Sequence, residues 1–169
     1  MPQALYRVSS GPSPTTAPTA KLALVAATTK TLLQLSHASL PLSIIEWGVS
    51  FDDSAAAVPV ECELIDTGTV AATVTAYVAN DVTQLTDPGG TAATINLGTA
   101  ASGYNASAEG SVVAPVRVGD YQLVPPTSGF LKQFPLGQEF NVVPGHMLRV
   151  RLTAAAAVNA VCYVVFAIG

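Results

Sequence analysis

The sequence predicts an all-β fold, an antiparallel β-sandwich or barrel forming a single domain. Three observations carry this reading. Apolar residues recur at every second position in several short segments, Gly, Pro and Asp turn signals separate those segments, and no stretch shows helical periodicity. A chain of 169 residues suits one domain, large enough to hide about 70% of the unfolded surface.

Residues 1–20 read as an extended N-terminal arm, and residues 21–169 as the sandwich. Pro12, Pro14 and Pro18 stand among Ser, Thr and Gly, a composition that resists helix and sheet and leaves the chain extended and solvated. Such an arm either stays disordered or docks on a neighbour. Its removal is expected to leave the domain folded.

Lys21 to Ser36 reads as either a short helix or two strands about Thr28–Lys30, and the threonines and the Leu33, Leu35 alternation favour the strands. Ile44 to Asp66 reads as a β-hairpin. Its first arm puts Ile45, Trp47, Val49 and Phe51 on one face, and its second puts Val60, Cys62 and Leu64 on one face with Glu61, Glu63 and Ile65 opposite. Trp47, the one tryptophan, buries roughly 150–250 Å² in such a setting, which makes it the core anchor.

Thr67-Gly68 is a turn signal, and Val70, Ala72, Val74, Ala76 and Val78 alternate after it, so a three-strand antiparallel meander is expected. Residues 79–111 break the pattern, with a hard turn at Asp87-Pro88-Gly89-Gly90 and one short strand at Thr94–Leu97. A loop of this length usually serves function or contacts. Val112–Val118, carrying Pro115, suits an edge strand. An irregular stretch with Phe130, Phe134 and Phe140 follows Pro125-Pro126.

After the turn at Pro144-Gly145, Leu148, Val150 and Leu152 oppose Arg149 and Arg151. These arginines either form a cross-strand or intersubunit ladder with Glu61 and Glu63, or stand on separate solvated faces. Ala160–Ile168 is apolar on both faces and reads as a central strand. The uncharged run 152–169 is close to the roughly 20 residues of a membrane span, but its β-branched and aromatic content favours a buried strand.

Charged residues make up 11% of the chain, against roughly 25% in ordinary soluble domains. A surface with so little like-charge repulsion predicts an oligomer or a lattice-bound protein. The net charge of −4 and seven scattered basic residues argue against nucleic acid as a partner. Residues 1–20 lack the apolar core of a secretory signal. Cys62 and Cys162 both fall in expected strands, and buried free thiols are favoured over a bridge.

No enzyme reading gains a residue. Gly-x-Ser-x-Gly and Gly-rich phosphate loops are absent. His37 and His146 show no metal-ligand spacing. Asp52 and Asp53, with Glu46 nearby, lack the alternation of a calcium loop. A glycosidase-like pair from Glu61 and Glu109 has no spacing behind it, and the Asn105-Ala106-Ser107 sequon reads as chance. No catalytic, cofactor or metal site is expected, nor a membrane partner.

Several motifs resemble a known family: Ile45-Glu46-Trp47-Gly48 with Phe51-Asp52, Ala71–Ala76, Pro135-Leu136-Gly137, Leu148–Ala154 and Val158-Asn159. Together they look like the capsid decoration, or cement, proteins encoded among the head genes of tailed bacteriophages. The resemblance implies a β-sandwich or jelly-roll-like domain, a homotrimer on the outer capsid surface of the virion, with the major capsid protein as partner. The competing readings are a phage tail or minor structural protein, and a trimeric lectin-like or tumour-necrosis-factor-like binding module. The latter calls for exposed aromatic residues near Tyr104, Tyr121 and Phe130. The candidate interface residues are therefore Glu61, Glu63, Arg149, Arg151, Tyr104 and Phe130.

Overall fold

The computed structural model describes residues 3–53, 58–86, 93–111 and 114–169. Its strands, in chain order, are β1 (Leu5–Ser9), β2 (Leu22–Leu24), β3 (Thr29–Leu35), β4 (Leu42–Phe51), β5 (Val60–Asp66), β6 (Thr73–Ala76), β7 (Thr83–Gln84), β8 (Gly103–Ala108), β9 (Arg117–Val124), β10 (Gly129–Gln133), β11 (Phe140–Val142), β12 (Leu148–Thr153) and β13 (Val158–Ile168). Among the described residues the one helical element is a 3-10 turn at Ala79–Asp81, and no helix is long and apolar enough to cross a membrane.

All strand pairing is antiparallel and divides into two sheets. One runs β10-β4-β13-β1-β7, with β11 continuing the line of β10 along β4 and β2 pairing with β13; the other runs β6-β8-β3-β12-β5-β9. Successive strands change sheet: β2 to β3, β3 to β4, β4 to β5, β9 to β10 and β12 to β13. This wraps β2-β13-β4-β10 over β3-β12-β5-β9, the double Greek key of a jelly roll. β6 and β8 widen one sheet, and β1 and β7 the other.

The core lies between the sheets because alternate residues of facing strands turn towards each other. Trp47, Leu64, Val150, Cys162, Val164 and Phe166 are buried there with Leu32, Leu33 and Leu35. β13 is central, between β4 and β1, as its two apolar faces predict. The expected strands about Thr28–Lys30 are β2 and β3.

The pairing differs from expectation in two places. β4 and β5 form no hairpin, because they lie in opposite sheets and face each other across the core. Period-two alternation marks a half-buried strand without naming the neighbour it bonds. β5 bonds β12 and β9 instead, which leaves β6 to pair with β8 and removes the meander.

The face of β4 also changes midway. Val165 stands opposite Glu46 but Phe166 stands opposite Ile44, so Ile45 is the extra residue of a β-bulge. Leu42 and Ile44 therefore join Trp47 and Val49 in the core, while Ile45 is half-buried.

Elsewhere, the stretch after Pro126 contains β10 and β11, and Thr94–Leu97 forms no strand although Ile95 is buried. The expected edge strand begins at Arg117, and β9 does edge its sheet. Val112, Val113 and the turn at residues 87–90 lie outside the described residues. The N-terminal segment is not a free arm over 5–9: β1 lies between β13 and β7, with Tyr6 and Val8 buried. Its alternation is too short to stand out beside the proline-rich segment that follows.

Candidate interaction surface

Along one flank the sandwich is bordered by β9 from one sheet and β10 from the other. A bulge at Gly119 sets what β9 presents: Leu64 pairs with Asp120 but Ile65 pairs with Val118. Asp120 turns inward, where it accepts hydrogen bonds from Trp47 Nε1 at 3.1 Å and Lys132 Nζ at 2.9 Å. The Trp47 ring meets Phe130 edge-on at 5.1 Å. Three strands are thus tied together at one buried carboxylate, and Trp47 is fully buried as the core anchor.

The same bulge leaves Val118, Tyr121 and Leu123 facing solvent. With Val116 they form an apolar strip of side chains 46–59% exposed. Exposed Glu61 borders it from β5. Partial desolvation and then Glu61 raise the Tyr121 phenol above its ordinary range.

The expected Glu–Arg ladder has one rung. Arg151 Nε donates to Glu63 Oε2 at 2.8 Å within the chain, from directly opposite positions on β12 and β5. Arg149 stands opposite Ile65 and is completely buried. It donates to the Glu109 carbonyl at 3.1 Å and the Val70 carbonyl at 2.5 Å, and pairs with the Glu109 carboxylate at 3.4 Å. Glu109 also accepts from the Thr31 N–H and hydroxyl, each at 2.6 Å. Burial pulls the Arg149 guanidinium below the arginine range, and Glu109 opposes that pull. The reason Arg149 is not solvated is that the segment between β5 and β9 folds over it. Gln34 holds the same segment, accepting from Ala72 N–H at 2.8 Å and donating to the Ala101 carbonyl at 2.5 Å.

The aromatic candidates turn inward. Tyr104 is half-buried against Tyr77, with ring centroids 5.4 Å apart, and Phe130 is half-buried on Trp47. Of Tyr104, Tyr121 and Phe130, Tyr121 alone is exposed.

The titratable groups serve local structure. Buried Asp66 accepts from His146 Nδ1 at 2.9 Å and Gly68 N–H at 2.9 Å, with Arg117 at 3.4 Å. His37 Nδ1 accepts from the Leu40 N–H at 2.9 Å, while Nε2 meets the Thr94 hydroxyl at 3.1 Å. Asp52 binds Lys21 at 2.7 Å, and Lys21 and Asn159 hold its carboxyl below the usual range. Cys62 and Cys162 are free and buried, one in each sheet. Burial, helped by Glu63, pushes the Cys62 thiol up to about 12. Among the described residues no three His, Cys, Asp or Glu side chains converge as metal ligands.

Asp120 is a site residue that alternation alone does not reveal. Its one signal is a carboxylate following glycine inside an apolar segment. No protein-family model, curated protein or solved structure matches the chain.

Proposed function

We propose that this protein is a structural component of a bacteriophage virion, a homotrimeric decoration protein that binds the outer surface of the head and stabilises the major capsid lattice. The observation that carries the reading is the β9 strip: four large apolar side chains within Val116–Leu123, each about half exposed, on a chain with 11% charged residues. Contiguous apolar surface of this kind marks a contact with another macromolecule. A weakly charged surface lowers repulsion between neighbouring subunits, and repeated attachment across a lattice lets modest contacts sum to tight binding.

The fold is compatible, since jelly rolls occur in capsid and lectin domains, but a fold does not name a function. The family-like motifs fall on β4, β6, β12, β13 and the loop before β11, all within the sandwich. The sugar-binding alternative calls for an exposed aromatic cluster, and with Tyr104 and Phe130 turned inward only Tyr121 of the three is exposed, which supports the decoration reading over it.

The test adds purified protein to phage capsids that lack it, followed by particle imaging and by heat and chelator challenge. Stoichiometric occupancy with raised resistance is expected, and Leu123→Asp, at a position 59% exposed, is expected to lose both while remaining folded. Capsids that neither bind the protein nor gain resistance overturn the proposal.

A further inference from the structure

The outer face of the β10-β4-β13-β1 sheet carries a groove of about 440 Å³ lined by Arg7, Ser9, Ser50, Gly129, Leu131 and Tyr163. Its wall is built by a glycine. Tyr163 stands opposite Gly48 in register, and a Cβ on Gly48 would lie 2.7 Å from the Tyr163 ring. The ring therefore lies across β4, where its hydroxyl donates to Glu46 Oε1 at 2.7 Å. The Arg7 guanidinium sits over the same ring, 4.3 Å from its centroid. Beside this wall the groove is lined by small groups, Ser9, Ser50 and Gly129, with exposed Leu131 contributing an apolar side.

Arg7 differs from the other arginines. Arg117, Arg149 and Arg151 each pair with a carboxylate, whereas Arg7 makes no ion pair among the described residues. The groove thus offers an apolar recess beside an unneutralised guanidinium, the group best suited to a planar carboxylate.

An apolar side chain and an anion suited to this recess are on the same chain. β10 and β11 both pair with β4, and residues 134–139 leave the sheet edge between them beside the Ile45 bulge. Leu136 on that loop is 98% exposed, so it does not occupy its own groove. Glu139 accepts the Gly137 N–H at 2.9 Å, which holds its carboxyl below the usual range and keeps it charged. One loop therefore presents an uncovered leucine and a fixed anion.

We propose that the 134–139 loop of one copy docks in the groove of the next, with Leu136 seated against Ser9, Ser50 and Gly129 and Glu139 paired with Arg7. Loop and groove are different surfaces, so the contact is head-to-tail, and it either closes into a ring or propagates as a chain. It uses neither the β9 strip nor a capsid, and it is measured without one.

Sedimentation equilibrium of the purified chain tests it. Wild type is expected to associate with concentration. Leu136→Asp, at a fully exposed position that leaves folding intact, is expected to weaken association at least about tenfold. Arg7→Glu is expected to do the same, and Arg7→Glu with Glu139→Arg to recover most of the loss, with circular dichroism checking each fold. A wild-type chain that stays monomeric up to about 1 mM, or association unchanged by Leu136→Asp, overturns the proposal. Dissociation by Leu136→Asp without recovery in the charge swap overturns the Arg7–Glu139 pairing.

Discussion

Trp47 on β4 donates its indole N–H to Asp120 on β9 at 3.1 Å, joining the two sheets through a carboxylate that also holds Lys132. Removing one member of a buried hydrogen-bonded charge leaves the others desolvated and unpaired. Asp120→Ala is therefore expected to lower stability by about 3 kcal/mol. Trp47→Phe keeps an edge-on ring contact with Phe130 but loses the donor and some volume, and should cost about 1–3 kcal/mol. Urea unfolding of both variants measures this, and a loss below about 1 kcal/mol for Asp120→Ala would show that the carboxylate is not a structural tie.

Two arginines on β12 give an internal contrast. Arg151 and Glu63 are both part-exposed, whereas Arg149 is fully buried and meets a part-exposed Glu109. Glu63→Gln is expected to cost about 0–1 kcal/mol. Glu109→Gln leaves the buried Arg149 charge without its carboxylate and should cost about 3 kcal/mol or more. Because Glu109 lies on the segment that covers β3 and β12, hydrogen exchange should also accelerate at Thr31, whose N–H it accepts. Equal losses in the two variants would contradict the assignment.

The strands were legible because alternation reports burial directly. β12 and β13 match their expected ranges to within a few residues, and Trp47, Leu148, Val150 and Leu152 are buried as read. Pairing was not legible, since Val49 and Leu64 show the same alternation whether their strands bond side by side or face each other across a core. Two bulges hid the rest: Ile45 reverses the face of half of β4, and Gly119 turns Asp120 inward. The fate of Arg149 depends on a long connection folding back over it, which strand periodicity does not encode.

The buried cysteines make stability fall in alkali. Cys62 rises from the ordinary 9.0 to about 12 because burial opposes the thiolate. Between those values the unfolded thiol has lost its proton while the folded one retains it, so rising pH favours unfolding. Its contribution is fully present below 9.0 and declines towards about 12; Cys162, also raised by burial, acts in the same direction. Denaturant midpoints should drop across this window, and the drop should shrink in Cys62→Ala. At pH 8 neither thiol should react with an aromatic disulfide reagent until denaturant is added.

Gly103 and Gly145 separate crowding from backbone conformation. A Cβ on Gly103 would lie 2.3 Å from the Thr75 carbonyl oxygen, inside the β6–β8 pairing, while one on Gly145 meets nothing within 4 Å but sits at φ +80°. Gly103→Ala should cost about 1–3 kcal/mol through forced strand separation. It should also lose exchange protection at β6 and β8. Gly145→Ala should cost about 1–2 kcal/mol from its left-handed backbone alone, with β6 protection intact.

Deleting residues 1–10 tests the N-terminal segment most directly. A free arm would be removed without loss of stability. In this fold the deletion strips β1 from β13, exposing Val164 and Phe166, and removes Tyr6, which packs 5.8 Å from the Phe166 ring. Burial of Tyr6 and Val8 contributes about 1.5–3 kcal/mol each relative to exposure, partly offset by the conformational entropy of ordering five residues. Stability should therefore fall by about 2 kcal/mol or more, and the bared β13 edge should make the truncated chain prone to aggregation. An unfolding midpoint equal to that of the full chain would restore the arm to the solvent.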